Sequence, residues 1–185
     1  MPSIITATTT SGLTHSADNS GVLQLASGTG NLVTVPSVTG TAMVSGNMPA
    51  FSAYMDTNQT ITSGTTVKVT LGTEVFDTAN CFSSSRFTPN VAGYYQINGK
   101  IRASGTNCTA SVSIYKNGSQ NIIGTYLSAT GATVFSVVST VLYLNGTTDY
   151  VELYGYADAT VGSPTLQFIA VGNTCEMNGC LVRGA

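Results

Sequence analysis

The stretch Phe87–Arg102 constrains the fold of this chain most, because a turn leads directly into an alternating strand. Pro89 and Gly93 bound the turn. Beyond it, the odd positions from Tyr95 are Tyr, Ile, Gly and Ile, while the even positions from Tyr94 are Tyr, Gln, Asn, Lys and Arg. Such alternation is typical of a β-strand with one buried and one exposed face. We therefore expect a sheet here.

From Pro49 onward the chain consists of strand-like segments separated by turns, with no helical period. Their regular spacing predicts an all-β sandwich or barrel. The dipeptides Asn117-Gly118 and Asn145-Gly146 predict tight primed turns, whereas Asn98-Gly99 lies inside an alternating strand and predicts a bulge. The expected strands are Phe51–Met55, Thr65–Leu71, Tyr94–Arg102, Ala110–Lys116, Asn121–Leu127, Thr133–Leu144, Tyr150–Tyr156, Thr165–Val171 and Glu176–Val182.

The first 47 residues differ from the rest, since they contain no Lys, Arg, Glu, Tyr or Phe. Gly21–Ala26 and Leu32–Val35 predict a hairpin across a Gly-rich loop. An isolated hairpin is marginal in water, so we expect residues 1–47 to be a docking and interlocking arm and residues 48–185 to be the folded domain. The predicted docking residues of the arm are Val22, Leu23, Leu25, Leu32, Val33 and Val35.

Two strands carry large side chains on a face that a two-layer sandwich would expose. Both faces of Thr133–Leu144 are largely apolar, and Tyr150–Tyr156 places Val151 and Leu153 on one side and tyrosines on the other. Tyrosine is favoured at protein interfaces; the alternative is a large core with tyrosines at its margin. The predicted interface residues are Phe135, Val137, Val141, Tyr143, Tyr150, Tyr154 and Tyr156.

The spacing Phe-x-Pro-x-x-x-Gly-Tyr-Tyr over Phe87–Tyr95 resembles the signature of globular heads of the C1q and tumour-necrosis-factor (TNF) superfamily. Phe51–Tyr54, Glu74–Asp77, Tyr150–Tyr154 and Met177–Val182 are similar to further strands of those heads, in the same order. The resemblance implies an all-β, C1q/TNF-like jelly-roll sandwich that forms a homotrimer about a three-fold axis. The N-terminal arm would be an extended β-hairpin on that head.

Thr10–Leu25 and Asn31–Val35 are similar to low-charge segments that precede C1q-like heads in structural proteins of tailed bacteriophages. This resemblance implies a virion structural protein, and we expect a homotrimeric capsid decoration or cement protein. Its partners would be itself and the major capsid protein or other virion proteins. The alternative is a receptor-binding tail-fibre or head-fibre tip that recognises a host surface glycan or protein, although a fibre normally carries a longer shaft before its tip.

The composition argues against two other classes of partner. Six Lys and Arg against eight Asp and Glu, with a net charge of −2, provide no basic footprint for nucleic acid. No window holds the ~18 consecutive apolar residues of a membrane span, and Met1–Ala7 lacks the basic and apolar regions of a secretory leader. We therefore expect synthesis in the host bacterial cytoplasm, a place in the virion, and neither nucleic acid nor membrane as partner.

The sequence contains few candidates for catalysis. His15 is the one histidine and lies in the arm, away from the folded core that a nucleophile system needs. The candidate carboxylates fall in no recognisable glycosidase motif; they are Glu74 with Asp77, Asp149 with Glu152, Asp158 and Glu176. We expect no enzymatic activity and no cofactor.

Four cysteines complete the inventory of reactive residues: Cys81, Cys108, Cys175 and Cys180. They contain no Cys-x-x-Cys pair and have no histidine cluster near them in sequence, so we expect no metal site. Free, mostly buried thiols are favoured in a reducing cytoplasm, while any of three disulfide pairings stays open.

Overall fold

The computed structural model describes residues 23–26, 32–35, 48–130, 133–167, 169 and 173–185, the first two ranges as backbone only. The chain divides into two units, Met1–Ala42 and Met43–Ala185. In the first unit β1 (Leu23–Ala26) and β2 (Leu32–Val35) pair antiparallel, as the predicted hairpin requires. Val22 and His15 lie outside the described residues.

The second unit confirms the all-β prediction, because every regular element in its described part is a strand. One expected strand, Thr165–Val171, differs: the observed strand ends at Leu166, and residues 168, 170 and 171 lie outside the described residues. Beyond them, Thr174 donates from Oγ1 to the Gln167 carbonyl. The strands are β3 (Ala50–Tyr54), β4 (Gln59–Thr60), β5 (Thr65–Lys68), β6 (Thr73–Asp77), β7 (Phe82–Ser83), β8 (Arg86–Phe87), β9 (Gly93–Thr106), β10 (Thr109–Lys116), β11 (Ser119–Ser128), β12 (Thr133–Leu144), β13 (Val151–Asp158), β14 (Val161–Leu166) and β15 (Glu176–Gly184).

These strands form two antiparallel sheets packed face to face. The six-stranded sheet has the order β11-β10-β13-β8-β7, with β5 also pairing with β13. The seven-stranded sheet has the order β4-β14-β9-β15-β3-β6, with β12 also pairing with β9. Within the described residues β11 pairs only with β10 and β12 only with β9. Both are therefore edge strands, one in each sheet.

The core between the sheets explains the opening sequence motif. Phe87 and Tyr95 are fully buried and meet edge to face with ring centroids 5.6 Å apart, while Phe51 stacks on Phe87 at 4.2 Å. Tyr95 also donates from its hydroxyl to the Val91 carbonyl at 2.7 Å. A Cβ at Gly93 would lie 2.4 Å from a backbone oxygen of β15. The motif thus combines aromatic packing with a close approach between strands.

The predicted bulge at Asn98-Gly99 is wrong. Strand β9 keeps a regular register through Gly99, which faces Val138 on β12 and Met177 on β15. A Cβ at Gly99 would lie 2.3 Å from Cδ1 of Leu153, which belongs to the opposite sheet. The glycine is therefore required by close packing between the sheets.

The two Asn-Gly dipeptides that predict tight turns have different outcomes. Asn117 and Gly118 have φ of 52° and 78° and join β10 to β11 as a two-residue hairpin, which confirms the prediction. The prediction for Asn145-Gly146 is wrong, because β12 and β13 belong to different sheets. There the Asn145 Oδ1 accepts hydrogen bonds from the backbone N–H groups of residues 147, 148 and 149 at 3.0, 2.9 and 2.9 Å. The side chain holds a connection between the sheets.

No helix that could cross a membrane occurs in the part of the chain that the structure describes.

Candidate self-association surface

Strand β12 alternates strictly between the core and the outside. Val134, Val138, Leu142 and Leu144 are buried between the sheets. The outward set is apolar too, with 54% of Phe135, 57% of Val137, 54% of Val141 and 41% of Tyr143 exposed. The second apolar face that the sequence predicts is therefore present, and it is covered only in part, by Tyr94 against the Tyr143 ring and Arg102 against the Phe135 ring.

Strand β11 lies beside β12 at the edge of the sandwich. Thr125 donates from Oγ1 to the Val137 carbonyl at 3.1 Å, so the two edge strands lie side by side. Half of the fourteen exposed large hydrophobic side chains of the described chain lie on these two strands. We call the four members on β12 the edge surface, because Ile123 and Tyr126 on β11 lie across from Ser113 and Ser111 and so belong to the outward face of the other sheet. The edge surface consists of Phe135, Val137, Val141 and Tyr143.

The outward face of the seven-stranded sheet, here the open face, has a polar centre. Asn98 on β9 donates from Nδ2 to Oδ1 of Asn178 on β15 at 3.0 Å. Gln96 donates from Nε2 to Asn98 Oδ1 at 3.0 Å and to Ser139 Oγ at 2.8 Å. This row of amides and hydroxyls crosses three strands and carries no charge. Beside it, Lys100 and Glu176 form an ion pair at 3.2 Å.

Three concavities open on the same face. The first, about 300 Å³, lies between Lys100, Val137 and Asn178, and the second, about 340 Å³, lies between Phe76 and Cys180. The third, about 620 Å³, is lined by Arg102 and a group of hydroxyl side chains. The open face is therefore indented and mixed in polarity, whereas the edge surface is apolar.

The outward face of the six-stranded sheet, here the tyrosine face, carries the other predicted interface residues. Tyr154 stacks on Tyr115 with ring centroids 3.8 Å apart, and Tyr156 faces Tyr126 at 5.9 Å. The guanidinium of Arg86 lies 3.8 Å from the centre of the Tyr150 ring. The structure thus does not bring Tyr150, Tyr154 and Tyr156 together with the four residues of β12, since the two groups lie on outward faces of different sheets.

Glu152 anchors the tyrosine face. Its side chain is only 3% exposed, and Oε1 lies 2.7 Å from Lys68 Nζ and 2.9 Å from Arg86 Nε. Burial alone would raise the pKa of Glu152, but the hydrogen bonds and charges of Lys68 and Arg86 outweigh it and leave the pKa below its usual value. The ion cluster is structural.

The other candidate carboxylates also support local structure. Asp77 accepts hydrogen bonds from the backbone N–H groups of Ala79 and Phe82 at 3.2 and 2.7 Å. Asp149 accepts from Asn117 Nδ2 at 2.7 Å and pairs with Lys116 at 2.9 Å, and these contacts lower its pKa. Glu74 is exposed. Among the described residues no group of three or more His, Cys, Asp or Glu could hold a metal ion.

All four cysteines are free thiols, as the sequence favours. Cys81, Cys108 and Cys175 are buried, and burial raises the pKa of each. Cys180 is exposed and lines a concavity of the open face.

No protein-family model matches the sequence, and no curated protein matches it. Solved structures do match. The globular domain of zebrafish complement 1qA protein superposes with a TM-score of 0.52 at 20% identity, covering 74% of this chain and 98% of that one. Murine APRIL at pH 5.0 superposes with a TM-score of 0.53 at 9% identity, covering 73% and 99%. The fold is a C1q/TNF-like jelly roll. At these identities the likeness establishes the fold alone.

Within this jelly roll, sequence reasoning missed the contribution of β11. Ile122 and Ile123 are adjacent in sequence, so they point to opposite faces of the strand. Ile122 packs against the core while Ile123 is exposed. That adjacency was the available signal for a strand with apolar residues on both sides.

Proposed function

We propose that this chain is a non-enzymatic virion structural protein that forms homotrimers and decorates or cements a phage capsid. The observation that carries the proposal is the edge surface, with four large apolar side chains exposed along the edge strand β12. The segment from Ser119 to Leu144 contains no charged residue. Edge strands that stay exposed in solution are usually protected by charge, proline or a bulge. Strand β11 has two register shifts against β10, whereas β12 pairs with β9 in an unbroken register. An uncharged apolar edge therefore favours coverage by protein.

The open face supports a second copy as the covering partner. It is indented around its first two concavities, uncharged at its centre and next to the edge surface on each copy. The third concavity, toward the Thr106 end of β9, would stay outside this contact. When the edge surface of one copy packs on the open face of another, the pair still has one free edge surface and one free open face. A closed ring of copies covers all of these surfaces. Three is the number of copies that the resemblance to C1q/TNF heads implies.

The low charge and the arm support a capsid role. Only 8% of residues are charged, against about 25% in ordinary soluble proteins, so much of the surface suits contact with other proteins. The major capsid protein, or another virion protein, would bind the apolar arm residues of β1 and β2. The protein would be made in the bacterial cytoplasm and remain in the virion.

The carboxylates support a non-enzymatic role. Glu152, Asp149 and Asp77 are each held by ion pairs or backbone N–H groups of their own fold. A glycosidase needs two carboxyl groups that face a common substrate. The structural contacts of these three carboxylates therefore account for them without a catalytic role.

Two measurements test the proposal. Light scattering on the full chain at micromolar concentration should give three times the monomer mass, and a stable monomer would overturn the homotrimer. Immunogold electron microscopy of virions with antibodies to the full chain should then label the capsid. Label confined to the tail would reject decoration in favour of a receptor-binding tip, while leaving the trimer intact.

A further inference from the structure

The third concavity of the open face has the properties of a ligand site. Its volume, about 620 Å³, lies within the roughly 300–1,000 Å³ of small-molecule sites in proteins. It lies at the end of β9, between the start of β12 and the end of β14. Its lining residues are Arg102, Ser104, Gly105, Thr106, Thr130, Thr133 and Gln167.

Arg102 is held in place on two sides. Its Nη2 donates to Oγ1 of Thr133 at 3.3 Å, and its guanidinium lies 5.7 Å from the centre of the Phe135 ring. A guanidinium has five N–H donors, so one hydrogen bond to Thr133 leaves a pair of donors for a planar acceptor. A positioned guanidinium binds carboxylates with two parallel hydrogen bonds.

Arg102 also lacks a carboxylate partner among the described residues. The chain has six Lys and Arg. Four of them, Lys68, Arg86, Lys100 and Lys116, form ion pairs with Asp or Glu within 4.0 Å. Arg102 forms none of the described ion pairs, although it is partly buried. A partly buried, positioned cation without an acid favours an anionic ligand.

The remaining lining residues suit a polyhydroxylated ligand. Serine and threonine hydroxyls both donate and accept hydrogen bonds, and four of them line this concavity. Gln167 contributes a buried Oε1 that has no hydrogen-bond partner in the described structure. A buried acceptor without a donor is unfavourable, and a ligand hydroxyl would satisfy it once the Gln167 side chain turns toward the concavity.

We infer that this concavity binds a carboxylate-bearing sugar. Arg102 pairs with the sugar carboxylate, while Ser104, Thr106, Thr130 and Thr133 bind ring hydroxyls. The volume accommodates more than a simple inorganic anion. The inference does not rest on the capsid role, because it concerns a site within each copy of the chain.

The test is calorimetric titration of the full chain with galacturonate, glucuronate and N-acetylneuraminate, each compared with its uncharged methyl ester. At least one acid should bind, and its ester should bind about tenfold more weakly or worse, because a hydrogen-bonded charge pair is lost. If none of the three acids binds, or if acid and ester bind equally, the inference is wrong. If acetate at an equal concentration displaces the sugar, the site binds simple anions in general, and the inference is also wrong.

Two arginine variants provide the matched comparison. Arg102→Gln should weaken binding of the acid about tenfold or more and leave the ester unaffected. Arg183→Gln is the control, since Arg183 is exposed on β15 and also forms none of the described ion pairs. It should bind like the unsubstituted chain. Equal binding by Arg102→Gln, or a changed oligomeric state in that variant, would assign Arg102 to another role.

Discussion

The tyrosine face and the edge surface both carry large side chains, yet they differ in whether those side chains have partners. On the tyrosine face the rings of Tyr115 and Tyr154 stack on each other, and Arg86 covers Tyr150. On the edge surface Val137 and Val141 remain more than half exposed. The large side chains of the tyrosine face thus contact partners within the same chain. On the edge surface Tyr143 meets Tyr94 and Phe135 meets Arg102, but no such contact covers the two valines among the described residues.

This difference shows why residue type alone is a poor guide to an interface. Tyrosine is favoured at interfaces because it offers area and a hydrogen bond, but both can be satisfied inside one copy. The valines of β12 have no such alternative, since an aliphatic side chain is removed from water only by packing. We therefore expect substitutions on the two surfaces to separate folding from assembly.

The largest effect should come from a charge on the edge surface. Val141→Glu should raise the dissociation constant of the trimer about 100-fold or more, because three carboxylates would be buried beside uncharged neighbours such as Gln96. Sedimentation velocity over a dilution series measures this. Val161→Glu is the matched control, since Val161 is 69% exposed but lies on β14, away from the edge surface. An equal loss of assembly in both variants would contradict the assignment of the edge.

The next effect concerns the anchor of the tyrosine face. Glu152→Gln should lower the free energy of unfolding by about 1–3 kcal/mol, because two cations lose their shared carboxylate. Lys68 and Arg86 keep about a third or more of their side chains in water, which limits the loss. Chemical denaturation measures the change, and the mass of the native assembly should stay constant. A variant that folds normally but fails to assemble would refute the separation of the two surfaces.

Acidification should weaken the ion cluster of Glu152 with Lys68 and Arg86. The pKa of Glu152 is below its unfolded value of 4.5, so the folded state gains stability above that pH and loses it as the pH falls through the lower folded pKa. Melting temperatures should therefore fall on acidification below about 4.5. The Glu152→Gln protein should show a shallower decline over that range. An identical slope in both proteins would rule out Glu152 as a source of the acid sensitivity.

A smaller effect should distinguish two tyrosines that the sequence assigns to one interface. Tyr154→Ala should cost about 1 kcal/mol of folding stability through the lost stacking on Tyr115 and leave assembly unchanged. Tyr143→Ala should weaken assembly and have little effect on the fold, because Tyr143 is 41% exposed. Denaturation and sedimentation on the same pair of variants measure both quantities. The reverse pattern would place the interface on the tyrosine face.

The smallest effect should appear in thiol labelling. In the dissociated Val141→Glu protein, only Cys180 should react rapidly with a thiol reagent, because the other three thiols are buried and their pKa values are raised. Cys180 lines the open face, so assembly should slow its reaction. Labelling at equal rates in assembled and dissociated protein would show that the open face stays uncovered around Cys180.

Much of the fold follows from the sequence because alternation over long strands is a local property. The Phe87–Arg102 stretch and the two faces of Thr133–Leu144 are such cases. The exceptions depend on the opposite sheet. The sequence predicts a bulge at Asn98-Gly99 because it does not show that Leu153 of the opposite sheet packs against Gly99. It predicts a hairpin turn at Asn145-Gly146 because it does not show that β12 and β13 belong to different sheets.

The candidate surfaces were less predictable for the same reason. Alternation correctly placed Tyr154 and Tyr156 on one side of β13, but it could not assign that side to a sheet or supply Tyr115 and Tyr126 as partners. The sequence also does not show that Arg102 lacks an acidic partner, because ion pairing depends on which charged side chains lie close together in the folded chain. The trimer and the capsid role remain predictions.

The uncharged run from Ser119 to Leu144 has a consequence for the rate of assembly. Charged partners attract each other over distance and bind faster at low ionic strength. An edge without charge gives no such steering, so encounters between copies should be slow, and their rate should hardly depend on salt. Each newly made chain would then keep an apolar edge in water until it meets another. Local concentration during synthesis, rather than the ionic conditions around the protein, would set how quickly that edge is covered.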